Sequence, residues 1–194
     1  MIIKRFVDED FVNYRKPSMF IITPTCSFKC DKENGCLMCQ NSRLVHEPTH
    51  DVETDVLIMR YLENPITKAI VFGGLEPFDT PHDLVEFIQS LRWNYHCDDD
   101  IVIYTGYTEE ELEDTMVYKI ISLFNNIIVK FGRFRLDQMP HYDEVLVTKV
   151  DADGEAEVFF PNLDTCIEFK ARCVSSCEDM GYNTSFWTYR RVAD

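Results

Sequence analysis

Basic residues are scarce in this chain. Only 19 Lys and Arg stand against 34 Asp and Glu, for a net charge of −15. Binding a phosphate backbone needs clustered Lys and Arg, so this balance argues against nucleic acid as a partner. It disfavours anionic membrane surfaces for the same reason, and its plain reading is solubility. Long apolar runs are also missing: none approaches the roughly 18 residues that a membrane span needs. The N-terminal stretch Met1-Ile-Ile-Lys-Arg-Phe-Val-Asp-Glu-Asp meets acidic residues too early for a secretory segment. The expected location is therefore cytoplasmic. Glycine and proline are few, at 7 and 8, and fall mostly at punctuation points. There is no internal repeat and no low-complexity segment.

What the chain does have is cysteine, eight in 194 residues. A chain of this length is most economically one domain, here 1–194, and should bury about 70% of its unfolded surface without disulfide staples. In a reducing compartment the cysteines then point to thiols and metal ligation. Four of them, Cys26, Cys30, Cys36 and Cys39, lie within fourteen residues, directly after the apolar run Met19-Phe20-Ile21-Ile22. Soft thiolates select zinc, copper(I) or iron–sulfur clusters. Three thiolates can hold a [4Fe–4S] cluster and leave one iron open, whereas four close the cluster or make a zinc site. Spacing alone leaves iron–sulfur, zinc and free structural thiols as alternatives.

Around that loop the pattern alternates strand and helix. Strands are expected at Ser18 to Thr23, Lys68 to Phe72, Asp100 to Tyr104, Asn126 to Lys130 and Asp143 to Val150. A helix within Glu53 to Glu63 would turn Val56, Leu57, Met59 and Tyr61 partly inward. Thr80 is the expected N-cap of a second helix, with Pro81 at its first position and Asp83 favouring its positive end. Leu84, Val85, Ile88 and Leu91 give that helix an apolar face. Thr108-Glu-Glu-Glu111 reads as a capping box. Leu112, Met116, Ile120 and Phe124 follow at helical spacing. The expected fold class is α/β, with a mostly parallel sheet and right-handed crossovers. Ligands in such sheets bind at the carboxyl ends of strands, where the cysteine loop, Gly73-Gly74 and Tyr104-Thr105-Gly106 all fall.

The core spans about 18–150. Beyond it, 151–194 forms a C-terminal extension carrying Cys166, Cys173 and Cys177 on an expected helix, and then the aromatic tail Ser185-Phe-Trp-Thr-Tyr189. Asp151-Ala-Asp-Gly154 reads as a turn and Glu157 to Phe160 as a short strand. The three cysteines hold a second metal, meet the first cluster, or are structural thiols. The tail packs on the sheet or forms a partner surface. Cys97 reads as a small hydrophobe, and Asp98-Asp-Asp100 as a solvated turn. The five histidines follow no ligand spacing.

Four motifs give the chain a family resemblance. Cys26-Ser-Phe-Lys-Cys30 after the first strand resembles the opening half of the Cys-x3-Cys-x2-Cys motif of the radical S-adenosylmethionine (SAM) superfamily. Cys39-Gln-Asn resembles the end of that motif in activating enzymes of glycyl-radical enzymes. Gly73-Gly-Leu-Glu-Pro77 resembles the Gly-Gly-Glu-Pro element that receives the SAM amino group. Tyr104-Thr-Gly-Tyr107 resembles the segment after the third strand in those activases, above all that of anaerobic ribonucleotide reductase. Gly132-Arg-Phe134 resembles another, shorter activase element. The resemblance runs from about Ser18 to Val147.

It implies a partial (β/α) barrel with the cluster loop after the first strand. It implies a [4Fe–4S] cluster, S-adenosylmethionine as co-substrate, and reductive cleavage to a 5′-deoxyadenosyl radical, an oxidoreductase chemistry of anaerobic conditions. By the same resemblance the cluster ligands would be Cys26, Cys30 and Cys39, with Cys36 as alternate. Met38, Gly73, Gly74, Glu76, Tyr104 and Thr105 would contact SAM. Lys130 would pair with its carboxylate or stay solvated, and Arg133 shares that ambiguity. The partner would be a glycyl-radical enzyme such as anaerobic ribonucleotide reductase, with a reductant such as flavodoxin or ferredoxin. The alternatives are radical SAM chemistry on a peptide or small molecule, and a non-catalytic zinc module. Two departures from the pattern stand out: eight residues separate Cys30 from Cys39, and Leu75 interrupts Gly-Gly-Glu-Pro.

Overall fold

The central parallel strand of this protein is buried on both faces, and its sequence shows why. In the computed structural model, which describes residues 1–35, 39, 41–134, 144–150, 169–179 and 182–191, Ala69–Gly73 is buried at every position. Strands covered on two sides read as continuous apolar runs rather than alternating ones. The chain divides into two compact units, Met1–Gln138 and Met139–Asp194.

The first unit opens with β1 (Ile2–Ile3) and β2 (Arg5–Asp10). Then come β3 (Ser18–Ile22), α1 (Lys29–Asn34), β4 (His50–Asp51), α2 (Thr54–Glu63) and β5 (Ala69–Gly73). It closes with α3 (Pro81–Gln89), β6 (Asp100–Thr105), α4 (Glu109–Leu112), α5 (Met116–Ile121) and β7 (Ile127–Phe131). Its main sheet has the order β2-β3-β5-β6-β7. β3, β5, β6 and β7 are mutually parallel, and β2 runs antiparallel along one edge. β1 and β4 form a separate two-stranded pair. The fold is thus α/β with a mostly parallel five-stranded sheet.

One face of that sheet carries Met19, Ile21, Ile70, Phe72, Ile101 and Ile103, packed against Leu57, Ile58, Tyr61, Leu84, Phe87 and Ile88 of the helices. Phe72 and Phe87 meet edge to face at 5.1 Å, the geometry that ring quadrupoles favour. Cys97 packs against this core as a small apolar residue. Among the described residues no helix is long and apolar enough to cross a membrane.

Several expectations need correction. Asp143 to Val150 is a strand, β8 (Glu144–Val150), but it leaves the parallel sheet. It joins β9 (Phe169–Asp179) and β10 (Tyr182–Arg191) in an antiparallel sheet of the second unit, ordered β8-β10-β9. The fifth strand of the main sheet is instead β2, whose acidic sequence hid its edge position. In α2 it is Leu57, Ile58 and Tyr61 that are buried; Val56 and Met59 are exposed because they sit on the opposite arc. The run from Leu112 to Phe124 is two helices. Thr115 caps α5 by accepting from Tyr118 N–H, and Met116 faces solvent at 72% exposure.

Thr80 stands at the N-cap of α3, but its hydroxyl donates to Pro77 O, and Asp83 accepts the N–H of Ile2. Asp100 is buried rather than solvated, and accepts from Tyr14 and Lys16. Burial alone would raise its pKa, but these two donors outweigh that and hold it low. The capping box at Thr108 and Glu111 forms with both of its reciprocal bonds.

Cys173 and Cys177 lie on strand β9, not on a helix. Four residues of strand separate them by about 13 Å, too far to converge on one metal ion. Part of the tail, Ser185 to Tyr189, lies within β10. The turn at Asp151, the strand at Glu157 to Phe160, and Cys166 lie outside the described residues.

Candidate cluster site

The cysteine loop leaves β3 and is at once stitched to the end of β5. Thr23 N–H donates to Gly73 O at 3.2 Å, and Glu76 N–H donates to Thr25 O at 2.9 Å. Gly74 makes this junction possible. Its φ is +78°, and a Cβ there would lie 2.8 Å from Ile22 Cγ2, so neither the conformation nor the space admits a side chain.

Each cysteine then has its own support. Beside Cys26, Ser27 N–H donates to Asp79 Oδ2, and Phe28 N–H reaches Cys26 Sγ at 3.3 Å. Phe28 takes a left-handed φ of 52° and turns the chain into α1, which carries Cys30. Gly35, at φ 68°, ends α1 with its N–H on Asp31 O. Asp31 reaches forward, accepting Cys39 N–H at 2.8 Å. One short helix thus carries Cys30 and anchors Cys39.

Cys26, Cys30 and Cys39 are free thiols of intermediate burial. Burial pushes the Cys26 thiol up to about 11, and the nearby Glu76, Asp79 and Cys39 add to that. Burial also raises Cys39, against the backbone N–H groups of Asn41 and Ser42, with Cys30 and Asp31 adding to the rise. Cationic metal centres reverse this preference, since thiols give up their protons on ligation.

Glu76 ties the site together from below. It is 5% exposed, and its Oε1 accepts from Thr105 Oγ1 at 2.8 Å and Phe78 N–H at 3.2 Å. Its Oε2 accepts Gly106 N–H at 2.8 Å. Burial raises its pKa against those three donors. The same carboxylate thus links the ends of β5 and β6. Gly106 in turn leaves room for Cys30: a Cβ on it would sit 3.1 Å from Cys30 Sγ and 3.6 Å from Glu76 Oε2. Three soft thiols on one loop, with Cys30 in space that Gly106 leaves open, are the donor type that an iron–sulfur group takes.

Other expected contacts are placed more loosely. Gly73 sits where a Cβ would meet the Phe20 ring at 3.2 Å and Tyr104 Cβ at 3.4 Å. Thr105 is buried, while Tyr104 is partly exposed and its hydroxyl donates to Asn13 O. Lys130 is exposed, in register with Tyr104 across β6 and β7. Cys36 and Met38 lie outside the described residues. Leu75 is buried at 6% exposure, so the extra residue of that loop points into the protein.

Asp79 and Lys29 were missed as site residues, Tyr107 was named only as a motif position, and Arg133, expected at the SAM carboxylate or in solvent, instead donates to Gly106 O, Glu33 and Glu111. Tyr107 donates to Asp79 Oδ1 at 2.7 Å, and its own pKa is pushed up to about 12, first by burial and then by that carboxylate. Lys29 lies 3.9 Å over the Tyr107 ring. For Asp79 the hint in the sequence was its place two residues after the Gly73-Gly-Leu-Glu-Pro77 motif. A separate cavity of about 770 Å³ lies between α3 and α5, lined by Phe78, Val85, Tyr107, Leu112, Met116 and Ile120.

Comparison with known proteins points to an iron–sulfur cluster domain. No curated protein and no solved structure matches the chain. Residues 17–148, by contrast, match the model of the family described as "4Fe-4S single cluster domain", a span that begins just before β3 and takes in every loop gathered at the cysteines. The chain belongs to that iron–sulfur family, which is found in radical SAM enzymes.

Proposed function

We propose that this protein is a radical SAM enzyme that installs a glycyl radical on a partner such as anaerobic ribonucleotide reductase. The observation that carries the reading is the Glu76–Gly106–Cys30 junction. It brings the cysteine loop, the Gly73-Gly74 turn and the Thr105-Gly106 turn together at the carboxyl ends of parallel strands. Curling of that sheet into a partial barrel belongs to the same reading.

Cys26, Cys30 and Cys39 would hold a [4Fe–4S] cluster, with Cys36 as the alternate ligand. When bound, such a cluster supplies the electron that cleaves S-adenosylmethionine into methionine and a 5′-deoxyadenosyl radical. The protein's share is to bind, orient and exclude water. Gly73 and Gly74 let backbone approach the methionyl group closely. Glu76 fixes that backbone and keeps acceptor capacity on Oε2 for an ammonium. Tyr104 and Thr105, with Met38, would meet the nucleoside, and Lys130 would pair with the carboxylate. A glycyl-radical enzyme fits as partner because Cys39-Gln-Asn and Tyr104-Thr-Gly-Tyr107 resemble segments of the activases of such enzymes. A flavodoxin or ferredoxin would supply the electron. The auxiliary-cluster argument for a peptide-modifying enzyme loses support, since Cys173 and Cys177 are spread along β9.

The test is anaerobic reconstitution with iron and sulfide, reduction, addition of S-adenosylmethionine and assay for 5′-deoxyadenosine with methionine. Both products are expected, in equal amounts. Stoichiometric zinc without iron, or a loaded cluster that yields neither product even with the partner present, would overturn the reading.

A further inference from the structure

Resting on the reading that Cys26, Cys30 and Cys39 hold a cluster, we propose that Arg133 is a positioning residue. It latches the Cys30 helix against its neighbours and so holds the cluster loop closed.

α1 has six residues, too few to hold helical structure unaided. Its order must come from tethers, and those tethers converge on the segment just after β7. The Arg133 side chain is 8% exposed. Its Nε donates to Gly106 O at 2.9 Å, one terminal nitrogen to Glu33 on α1, and the other to Glu111 on α4. Gly106 is the residue whose missing side chain makes room for Cys30 Sγ. One guanidinium therefore grips both walls beside Cys30.

A second tether reinforces the first. The Asn34 amide donates to Cys30 O and to Phe134 O, each at 2.9 Å. Lys29, at the start of α1, donates to Glu111 at 2.9 Å. The chain is thus Lys29–Glu111–Arg133–Glu33, with both ends on α1 and the middle on elements about a hundred residues away in sequence. Only a planar fork of donors spans a carbonyl and two carboxylates at once; an ammonium on a flexible stem does not. Residues that orient metal ligands commonly change metal affinity 10–100-fold when removed.

The test uses the full-length protein with Arg133→Gln, Arg133→Lys and the control Arg60→Gln. The control breaks an exposed pair with Asp8 that lies away from the cysteines. Two quantities are read: hydrogen exchange of residues 29–34 in the cluster-free protein, and the rate at which a chelator strips iron from the reconstituted protein under anaerobic conditions. Arg133→Gln is expected to speed both, iron loss by about tenfold or more. Arg133→Lys should recover part of each, and Arg60→Gln should match wild type in both. Wild-type exchange over 29–34 in Arg133→Gln would overturn the latch, as would unchanged iron release. Should the wild-type protein load no cluster, the cluster reading fails on its own and the exchange data still decide the latch. If Arg133→Gln does not fold, Glu33→Gln removes one tether with a neutral isostere, and must shift both readouts in the same direction by less.

Discussion

β5 and β9 are both strands flanked by chemistry-bearing residues, and they are built on opposite rules. All five residues of β5 are buried, and its side chains meet core on both faces. In β9, residues 170–176 are all exposed, Val174 at 61%. The cysteines follow the same division. In the first unit, Cys26 and Cys39 lie in the connection that follows β3 and Cys30 on the short helix α1 within it, where backbone turns fold the chain back on itself. Those described in the second unit sit along a strand, where the extended backbone spreads them apart. On the proposed cluster reading, cysteine count alone does not make a metal site. What matters is whether the backbone that carries the cysteines folds back on itself.

The sharpest way to break this comparison is to remove thiols from each unit in turn. Alanine at Cys26, Cys30 or Cys39 should cut anaerobically reconstituted iron from about four atoms per chain to near zero. Cys173→Ala should leave iron content unchanged. Iron lost equally from both units would erase the distinction.

Packing gives the next largest contrast. Phe72→Ala removes a fully buried ring that meets Phe87 edge to face, and should cost about 3–5 kcal/mol in denaturant unfolding. Val174→Ala, on the exposed strand, should stay within about 0.5 kcal/mol.

The loop junction itself comes third. Gly74→Ala forces a side chain into φ +78° and against Ile22, and should cost about 1–3 kcal/mol. Reconstitution of the variant should also load less iron, because the cysteine loop is stitched to that turn.

The smallest effect concerns charge. Glu111 is held down to about 2 from its ordinary 4.5, first by the N–H of Thr108 and then by Lys29 and Arg133. A depressed acid lends stability that is complete above its unfolded value and lost as pH falls through its folded one. The gap in unfolding midpoint between wild type and Glu111→Gln should hold from neutrality to about pH 4.5 and close toward about pH 2. A gap that closes above pH 5 would show that the latch does not protect this carboxylate.

Much of the first unit was legible in the residues themselves. Ala69-Ile-Val-Phe72 and Ile101-Val-Ile103 are apolar without a break, which only a doubly covered strand tolerates. Thr108 and Glu111 declared their capping box by spacing. β2 escaped notice because its charges find partners at the edge: Asp8 accepts from Arg60, Glu9 from Asn64, and the buried Asp10 from the N–H groups of Val12 and Asn13. The break between α4 and α5 escaped because the apolar spacing runs through it, while Thr115 offers a cap that interrupts the helix. Cys173 and Cys177 suggested a helix by spacing, and pairing with β10 overrode that signal.

The sequence by itself determined the donor set and its setting: three to four thiols after an apolar strand, with glycines at the ends of the next two. Those are local facts, fixed by residue type and short-range spacing. Only the tertiary structure decided that Glu76 turns its carboxylate onto Thr105 and Gly106, that Gly106 opens the space beside Cys30, and that Arg133 grips α1. These contacts join residues from about 30 to 100 positions apart. Their geometry comes from the parallel register of β5, β6 and β7, which no local pattern encodes.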